Sequence, residues 1–150
     1  MERIIPDERI RHMHGVAEYM YRNAEKHKLR SDQMYVLGLL HDIGYMNGKI
    51  AHEAFGANLI KSLGFEMDYV IAILWHGSKP SDFLALTKKT AKNVPNEMIL
   101  LWEADMHVNS RGEEVSYEDR LLDIRERYGE ESSEYKNCQE IIDFLKRNGF

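Results

Sequence analysis

The amino-acid sequence predicts an all-α fold. Apolar residues recur at helical spacing along most of the chain, and no segment shows the two-residue alternation with β-branched enrichment that is typical of strands. The chain has 150 residues, of which 43% are hydrophobic and 30% are charged. This length and composition are those of one globular domain. We therefore expect a single helical bundle of about six to eight helices.

The first two helices have the clearest signals. A helix is predicted from Pro6 to about residues 27–30, with an apolar stripe formed by Met13, Val16, Ala17, Met20 and Ala24. Ser31 is a suitable N-cap for the second helix, in which residues 34–43 are apolar almost all round. This pattern is typical of a helix at the centre of a domain. We expect Gly44 to end it in the left-handed conformation.

Five further helices are predicted downstream. The third, at residues 50–63, ends at Gly64, and its predicted face is formed by His52, Phe55, Gly56, Leu59 and Leu63. Ser116 and Asp119 resemble a capping box at the start of the sixth helix, which ends near Gly129. The fourth, fifth and seventh helices are expected at residues 66–76, 95–108 and 133–147.

Two segments outside the central helices have distinct compositions. Residues 77–95 contain four lysines and one aspartate, a local charge of +3, and we expect them to form a mobile flap over the site described below. Residues 116–150 combine apolar residues with many acids, and we expect two helices that cover the bundle or form a homodimer surface. Within this C-terminal segment, Arg120 or Arg125 is the candidate for the rim of a pocket.

Charge and composition exclude several classes of protein. The net charge of −5 argues against a large nucleic-acid-binding surface. No apolar run approaches the ~20 residues needed to cross a bilayer and no secretory leader is visible, so we expect a cytoplasmic protein without membrane contact. Cys138 is the only cysteine, which excludes an intrachain disulfide and a thiolate cluster. Any metal would have to be held by histidine and carboxylate.

Two acidic residues lie where the helical pattern predicts burial. Asp42 follows His41 at the end of the apolar second helix, and Asp105 lies on the apolar stripe of the fifth helix. An unpaired buried carboxylate is very costly. One or two divalent metal ions would compensate both carboxylates, because imidazole and carboxylate ligands suit Fe, Mn, Zn, Co and Ni. Three histidines also lie on or beside apolar stripes of separate helices, namely His12, His52 and His76.

Each of these residues also has a purely structural interpretation. A single histidine on an apolar helix face is more often a hydrogen-bonded core residue than a metal ligand, and an aspartate on a helix is more often solvated. His27 lies in a charged run and is expected to be exposed. His14 and His107 lie near the proposed ligands but off the apolar stripes, which favours a solvated or indirect role. A His-Asp pair taken alone is therefore a weak signal.

The order of these residues resembles the HD-domain superfamily of metal-dependent phosphohydrolases. The resemblance covers about residues 9–111 and depends on His12, the run His41-Asp42-Ile43-Gly44, His52, His76 and Asp105. It implies a helical bundle in which one divalent metal is bound by His12, His41, Asp42 and Asp105. It further implies that His52 and His76 complete a second metal site that shares Asp42.

Two positions depart from the family pattern. His76 is followed by Gly77, where many relatives have a second histidine, so the sequence leaves open whether one or two ions bind. Tyr45 stands where many relatives have a lysine suited to phosphate, so the phosphate anchor is expected elsewhere. Lys79 and Arg111 join Asp42 as the predicted catalytic residues. The full set of predicted anchors is Lys79, Lys88, Lys89, Lys92 and Arg111.

The resemblance implies hydrolysis of a small phosphorylated substrate. The charge of two divalent ions exceeds that of two carboxylates and a hydroxide, which favours an anionic ester, and metal-activated water needs no serine or cysteine nucleophile. We expect cleavage of a phosphoester or phosphoanhydride in a nucleotide-like molecule. Two alternatives stay open: a di-iron oxygenase of the same fold, which the ligands alone do not distinguish, and a regulatory module whose metal is not catalytic.

Overall fold

The computed structural model describes residues 5–47 and 51–150, and these residues form helices joined by short turns. Within them, one isolated antiparallel bridge, between Val108 and Glu114, is the nearest approach to a strand. The all-α prediction is therefore confirmed. In the same described ranges, none of the helices has the length and apolar character needed to span a bilayer. The α-helices are α1 (Asp7–Asn23), α2 (Ser31–Leu40), α3 (His52–Ser62), α4 (Met67–Trp75), α5 (Pro80–Thr87), α6 (Asn96–His107), α7 (Tyr117–Tyr128) and α8 (Ser133–Arg147).

Helices α1 and α2 pack together along the stripe predicted for α1. Val16, Ala17 and Met20 are fully buried there. Gly38 of α2 lies directly on the α1 backbone, since a Cβ at this position would be 2.8 Å from the Cα of Ala17. The lack of a side chain at Gly38 lets the two helices approach closely. His12, one turn before Val16, consequently faces the interior and is buried.

Helix α6 runs through the middle of the bundle and contacts α1, α2, α4, α7 and α8. Eight of its residues are buried. Its Trp102 ring packs edge-on against Phe83 of α5 and Phe144 of α8, with ring centroids 6.2 and 5.6 Å apart. Because α6 is enclosed on so many sides, Glu103 is carried into the interior and Asp105 is left with little exposure.

The buried face of α3 differs from the prediction. Phe55 and Leu63 were expected on that face, but both are exposed. The buried residues are Gly56, Ala57 and Ile60, and this face packs against α4. Gly56 lies close to the turn that follows α2, since a Cβ there would be 3.2 Å from the Gly44 nitrogen. The predicted face is therefore right at Gly56 and wrong at Phe55 and Leu63.

The basic segment 77–95, predicted to be a mobile flap, contains helix α5 instead. Pro80 occupies the first helical position, where its missing N–H costs nothing. Phe83 is fully buried and packs edge-on against Trp75, with centroids 5.5 Å apart. The backbone N–H of Ser81 donates to the Glu140 carboxylate on α8 at 2.9 Å. A buried aromatic anchor of this kind fixes the segment to the bundle, so the flap prediction was wrong.

Helix ends follow local chemistry in some places and tertiary packing in another. The Ser116 hydroxyl accepts a hydrogen bond from the Asp119 backbone N–H at 3.0 Å, and Gly64 has a φ of +88°, as both predictions required. Gly44 is not left-handed, so that prediction was wrong. It lies in the 3₁₀ turn Ile43–Asn47, where a Cβ would stand 1.6 Å from the His52 carbonyl oxygen. Glycine is needed there for close packing against the start of α3.

Candidate metal centre

The structure brings together all six residues that the sequence singled out as metal ligands. They come from five separate parts of the fold, so no single helix can form the site alone. Half of the six lie just after the ends of α2 and α4, which place them beside Asp105 of α6 and beside one another. The six are His12 on α1, His41 and Asp42 just after α2, His52 at the start of α3, His76 just after α4, and Asp105 on α6.

One half of the cluster lies between two carboxylates. The His12 Nε2 atom is 2.7 Å from Asp105 Oδ1 and 4.0 Å from Asp42 Oδ2. The His41 Nε2 atom is 3.2 Å from Asp42 Oδ2 and 3.7 Å from Asp105 Oδ1. Donor atoms of His12, His41 and Asp42 lie within 4.8 Å of one another, a spacing that one metal ion can bridge.

The other half of the cluster uses the second oxygen of the same aspartate. The His76 Nε2 atom is 3.1 Å from Asp42 Oδ1, and the His52 Nε2 atom is 3.9 Å from it. These three residues form a second group of donors within 4.8 Å of one another. Asp42 thus belongs to both groups and offers one oxygen to each.

Hydrogen bonds to the backbone fix the orientation of three imidazoles. The Nδ1 atoms of His41 and His76 each lie 2.6 Å from the carbonyl oxygen three residues earlier, on Gly38 and Ile73. The Nδ1 of His12 lies 3.0 Å from the Asn109 carbonyl oxygen. A carbonyl only accepts, so in each ring Nδ1 carries the proton and donates. Each Nε2 is left to present its lone pair to the carboxylates, which is the tautomer that a metal requires.

The electrostatics of the cluster demand positive charge between the carboxylates. Burial disfavours the charged form of every group here, but the surrounding imidazoles outweigh it and hold the pKa of Asp42 and of Asp105 well below the usual range. At His41 burial is outweighed by Asp42, which raises the pKa to about 10, and the pKa of His76 is also raised. At His12 burial prevails and the pKa is lowered. Imidazole protons or a metal cation must supply this charge.

The donor set fits a divalent transition metal. Within the described residues, the His41 Nε2 is fully buried and makes no hydrogen bond of good geometry, which is rare for a buried polar atom. It faces the carboxylates of Asp42 and Asp105, at 3.2 and 3.7 Å. Imidazole and carboxylate in this proportion are the ligands that Fe, Mn, Zn, Co and Ni accept. A cation at this point would satisfy His41 and neutralise both aspartates.

Arg9 is a residue of the site that the sequence did not reveal. Its Nη1 donates to Asp42 Oδ2 at 3.2 Å, and its guanidinium lies 4.2 Å from the centroid of the Tyr45 ring. The Tyr45 ring is also stacked on the His52 ring, at a centroid distance of 4.1 Å. The sequence offered one signal for Arg9, its spacing: Arg9 lies three residues before His12 and so shares the same side of α1.

Arg120 connects the C-terminal helices to the cluster. Its Nε donates to the Asp105 carbonyl oxygen at 2.9 Å, and its Nη1 donates to Asp123 Oδ2 at 3.0 Å. Its Nη2 is 3.8 Å from Asp105 Oδ1. The sequence placed Arg120 or Arg125 at a pocket rim; Arg120 lines the cavities described next, and Arg125 is exposed. Helix α7 therefore takes part in the site and does more than cover the bundle.

Two cavities open onto the cluster, and different members of the cluster line each of them. One, of about 360 Å³, has His12 in its wall. The other, of about 380 Å³, has His52, His76 and Asp105 in its wall. Both are within the size range of small-molecule sites. The residues common to both walls are Arg9, Tyr45, Arg120, Ile124 and Tyr128.

Other predicted residues lie away from these cavities. Lys79 precedes α5 and Arg111 is exposed, with its Nε 2.7 Å from Glu113 Oε1, and neither lines either cavity. His14 is exposed on α1. His107 donates to the Val115 carbonyl oxygen at 2.8 Å and is stacked on Tyr117. The remaining predicted anchors are Lys88, Lys89 and Lys92, which also do not line either cavity.

His27 contradicts its predicted exposure. It is buried, with its Nε2 3.5 Å from Glu103 Oε2, and its ring stacks on Phe150. The charged residues around it in the sequence suggested a solvated run, but the partner that buries it lies 76 positions away on α6. Local sequence does not report such a partner.

Comparison with protein families agrees with this geometry. A model of the HD domain family matches residues 9–147, a range that contains all six clustered residues. The chain therefore belongs to the HD domain family, most of whose members are metal-dependent hydrolases. The match continues past residue 111, where the predicted resemblance ended, and includes α7 and all of α8. No match was found among curated proteins or among solved structures.

Proposed function

We propose that the chain is a metal-dependent phosphohydrolase that cleaves a phosphoester or phosphoanhydride bond in a small, nucleotide-like substrate. The observation that carries this proposal is the shared position of Asp42. It offers one oxygen to each of two donor groups, and Arg9 contacts one of those oxygens from the cavity side. Two adjacent cation sites with an arginine beside them match the charge of a phosphoryl group.

The six clustered residues have the ligand role in this proposal. His12, His41, Asp42 and Asp105 would hold one ion, and His52 and His76 would hold a second together with Asp42. Divalent Fe, Mn, Zn, Co or Ni bound there lowers the pKa of water toward about 7 and polarises phosphoryl oxygens. The backbone hydrogen bonds of His12, His41 and His76 hold the imidazoles in the required tautomer before any metal arrives.

Arg9 is the proposed phosphate anchor. Many relatives have lysine at the position of Tyr45, and in this chain the Tyr45 ring instead supports the Arg9 guanidinium. The planar guanidinium can donate two parallel hydrogen bonds to phosphoryl oxygens. Arg120 donates to the backbone carbonyl of Asp105 and so helps to fix the position of that residue. Arg9 and Arg120 line both cavities, whereas Lys79 and Arg111 line neither.

A phosphate-release screen tests the proposal. The purified protein is loaded separately with Mn²⁺, Fe²⁺, Co²⁺, Zn²⁺ or Ni²⁺ and offered nucleotides and sugar phosphates. We expect phosphate release that depends on metal and disappears in Asp42→Asn, while Glu103→Gln, which alters the other buried carboxylate of α6, keeps it. Arg9→Met should lower kcat/KM about a hundredfold, with partial recovery in Arg9→Lys.

Two results would contradict the proposal and favour the alternatives. Oxygen uptake by the Fe²⁺-loaded protein without phosphate release would indicate a di-iron oxygenase. Tight metal binding with neither reaction would indicate a regulatory module.

A further inference from the structure

The four imidazoles of the cluster are held in place by two different means. The rings of His12, His41 and His76 donate their Nδ1 protons to backbone carbonyls. The His52 Nδ1 lies instead 3.3 Å from Oε2 of the Glu53 side chain. A carbonyl is part of the main chain, whereas a side chain can be substituted without altering the main chain. The contribution of Glu53 to the orientation of His52 can therefore be tested by itself.

His52 is the most exposed donor of the second group, which also contains Asp42 and His76. Its side chain is 14% exposed, against 4% for each of the other two. Its ring is stacked on Tyr45, and this contact fixes the plane of the imidazole but does not distinguish its two nitrogens. The group that faces Nδ1 therefore decides which nitrogen carries the proton.

Glu53 reaches this nitrogen from the first turn of α3. Its carboxylate also lies against Gly77, the residue after His76, since a Cβ at Gly77 would be 3.0 Å from Glu53 Oε1. The lack of a side chain at Gly77 leaves room for this carboxylate. Glu53 is thus packed between the two chain segments that carry the imidazoles of the second group. It lines the cavity of about 380 Å³, and its side chain is 31% exposed.

A carboxylate at Nδ1 has two effects on an imidazole that binds a metal through Nε2. It only accepts hydrogen bonds, so it favours the tautomer with the proton on Nδ1 and the lone pair on Nε2. Its negative charge also makes the ring a more basic ligand. In His52 it is Nε2 that faces Asp42, at 3.9 Å from Oδ1. Glu53 therefore acts on a metal through the His52 ring and not as a ligand itself.

We propose that Glu53 is a positioning residue for the second metal ion, which holds His52 in the metal-binding tautomer and so raises the affinity of the second group. The affinity of the group that contains His12 and His41 does not depend on it. This inference rests on the metal-binding part of the proposed function. It implies that the two sites can be loaded to different extents, because one of them depends on a side chain that the other does not use.

Glu53 also has a structural interpretation. It lies in the first turn of α3, where a negative charge is favourable beside the free N–H groups of the helix. That role would change the stability of the helix but would not single out one of two ions. Glu53→Asp separates the two roles. It keeps a negative charge in the first turn, but its shorter side chain moves the carboxylate away from the His52 Nδ1.

Calorimetric titration with Mn²⁺ tests the proposal. We expect the wild type to bind two ions, and Glu53→Gln to raise the Kd of one ion about 10- to 100-fold while the Kd of the other stays unchanged. Glu53→Asp should raise the same Kd by a smaller factor. Glu134→Gln is the matched control, because Glu134 lines the same cavity and accepts a hydrogen bond from the Ser133 hydroxyl at 2.9 Å. This variant should bind both ions as the wild type does.

A double-mutant cycle shows whether Glu53 acts through His52. His52→Ala should weaken the same ion, and adding Glu53→Gln to it should not raise the Kd further, because the ring that Glu53 positions is no longer there. An equal loss from Glu53→Gln with and without the His52 ring would assign Glu53 a purely structural role and overturn the proposal. An equal loss at both ions would do the same.

The remaining outcomes separate the positioning role from the proposed function. Unchanged Kd values in Glu53→Gln overturn the positioning role, and so does a wild type that binds a single ion. Phosphate release by the metal-loaded wild type, measured in parallel, decides in both cases whether the phosphohydrolase function stands. A wild type that binds no ion overturns the positioning role and the proposed function together.

Discussion

Helix α6 carries two acidic residues into the protein, and each meets histidine. Glu103 and Asp105 are two positions apart, which places them about 200° apart around the helix. Glu103 meets His27 and Tyr19 on one side, and Asp105 meets His12 and His41 on the other. The same residue types on the same helix therefore form two clusters that can be compared directly.

The Glu103 cluster is complete without a ligand. The Tyr19 hydroxyl donates to Glu103 Oε2 at 3.1 Å, and the His27 Nε2 is 3.5 Å from the same oxygen. The ring of His27 is stacked on Phe150. The backbone carbonyl of His27 accepts a hydrogen bond from the Asn96 side-chain amide at 3.1 Å. One carboxylate meets two groups that can donate to it. A buried carboxylate whose neighbours can donate to it needs no ligand, so this cluster is a structural feature.

The cluster at Asp105 has too many acceptors for its donors. Two carboxylates face several imidazoles, and three of those rings have already used their Nδ1 protons on backbone carbonyls. Burial of a histidine beside a carboxylate therefore does not mark a functional site by itself. The mark is the convergence of imidazole and carboxylate groups from several elements, whose lone pairs must be satisfied by imidazole protons or by a metal cation.

The largest difference between the two clusters is expected when a carboxylate is exchanged for an amide in each of them. Asp42→Asn should lose its metal and reduce phosphate release by about a thousandfold or more, because several kcal/mol of charge stabilisation disappear. Metal content of the purified variant and kcat/KM are the two measurements. Glu103→Gln, as the matched exchange, should retain both. Full metal content in Asp42→Asn would contradict the assignment.

Removing the metal should lower the free energy of unfolding equally in the wild type and in Glu103→Gln. Free metal at about a thousandfold above its Kd stabilises the folded chain by about 4 kcal/mol. Chelation should lower the free energy of unfolding by this amount in the wild type and in Glu103→Gln alike, because the two clusters are separate. Urea denaturation with and without chelator measures it. A smaller loss in Glu103→Gln would show that the clusters are coupled.

The Glu103 exchange has a smaller effect, confined to stability. Glu103→Gln leaves the Tyr19 and His27 groups poorly paired and should lower the free energy of unfolding by about 1–3 kcal/mol at neutral pH. Thermal and urea unfolding of the metal-loaded protein measure this. Unchanged stability would mean that the pair contributes nothing, as exposed pairs often do.

Acid should reduce the difference in the free energy of unfolding between the wild type and Glu103→Gln. Burial acts to raise the pKa of Glu103, but His27 and Tyr19 outweigh it and the pKa lies below its ordinary value of 4.5. A lowered pKa adds stability above the unfolded value, and that stability is lost as the pH falls through the folded value. The stability gap between wild type and Glu103→Gln should therefore shrink as the pH falls below 4.5. If this stability gap, measured in the presence of chelator, stays constant as the pH falls below 4.5, the lowered pKa of Glu103 is contradicted.

The smallest effects are expected at cations outside both cavities. Lys79→Met and Arg111→Met should leave KM for a phosphorylated substrate unchanged, because Arg111 is exposed and paired with Glu113 and neither residue reaches the cavity walls. Steady-state kinetics beside Arg9→Met make the comparison. A raised KM in either variant would restore the sequence-based expectation that these residues anchor phosphate.

Residues whose surroundings are local were well predicted from the sequence. The apolar stripe of α1 and the cap at Ser116 depend on neighbours within a few positions, and both are present. Arg9 and His27 were missed because their partners lie 33 and 76 positions away and nothing nearby reports them. Gly44 was misread because a glycine needed for close packing looks the same in sequence as one needed for a left-handed turn.

Anomalous diffraction from crystals of the metal-loaded protein tests the central comparison most directly. Data collected at the absorption edge of the bound metal locate each ion without reference to activity. We predict one or two peaks about 2.0–2.2 Å from Asp42 and the surrounding imidazole Nε2 atoms, and none beside Glu103. Density without a peak at Asp42 in saturating metal, or a peak between His27 and Glu103, would contradict the account.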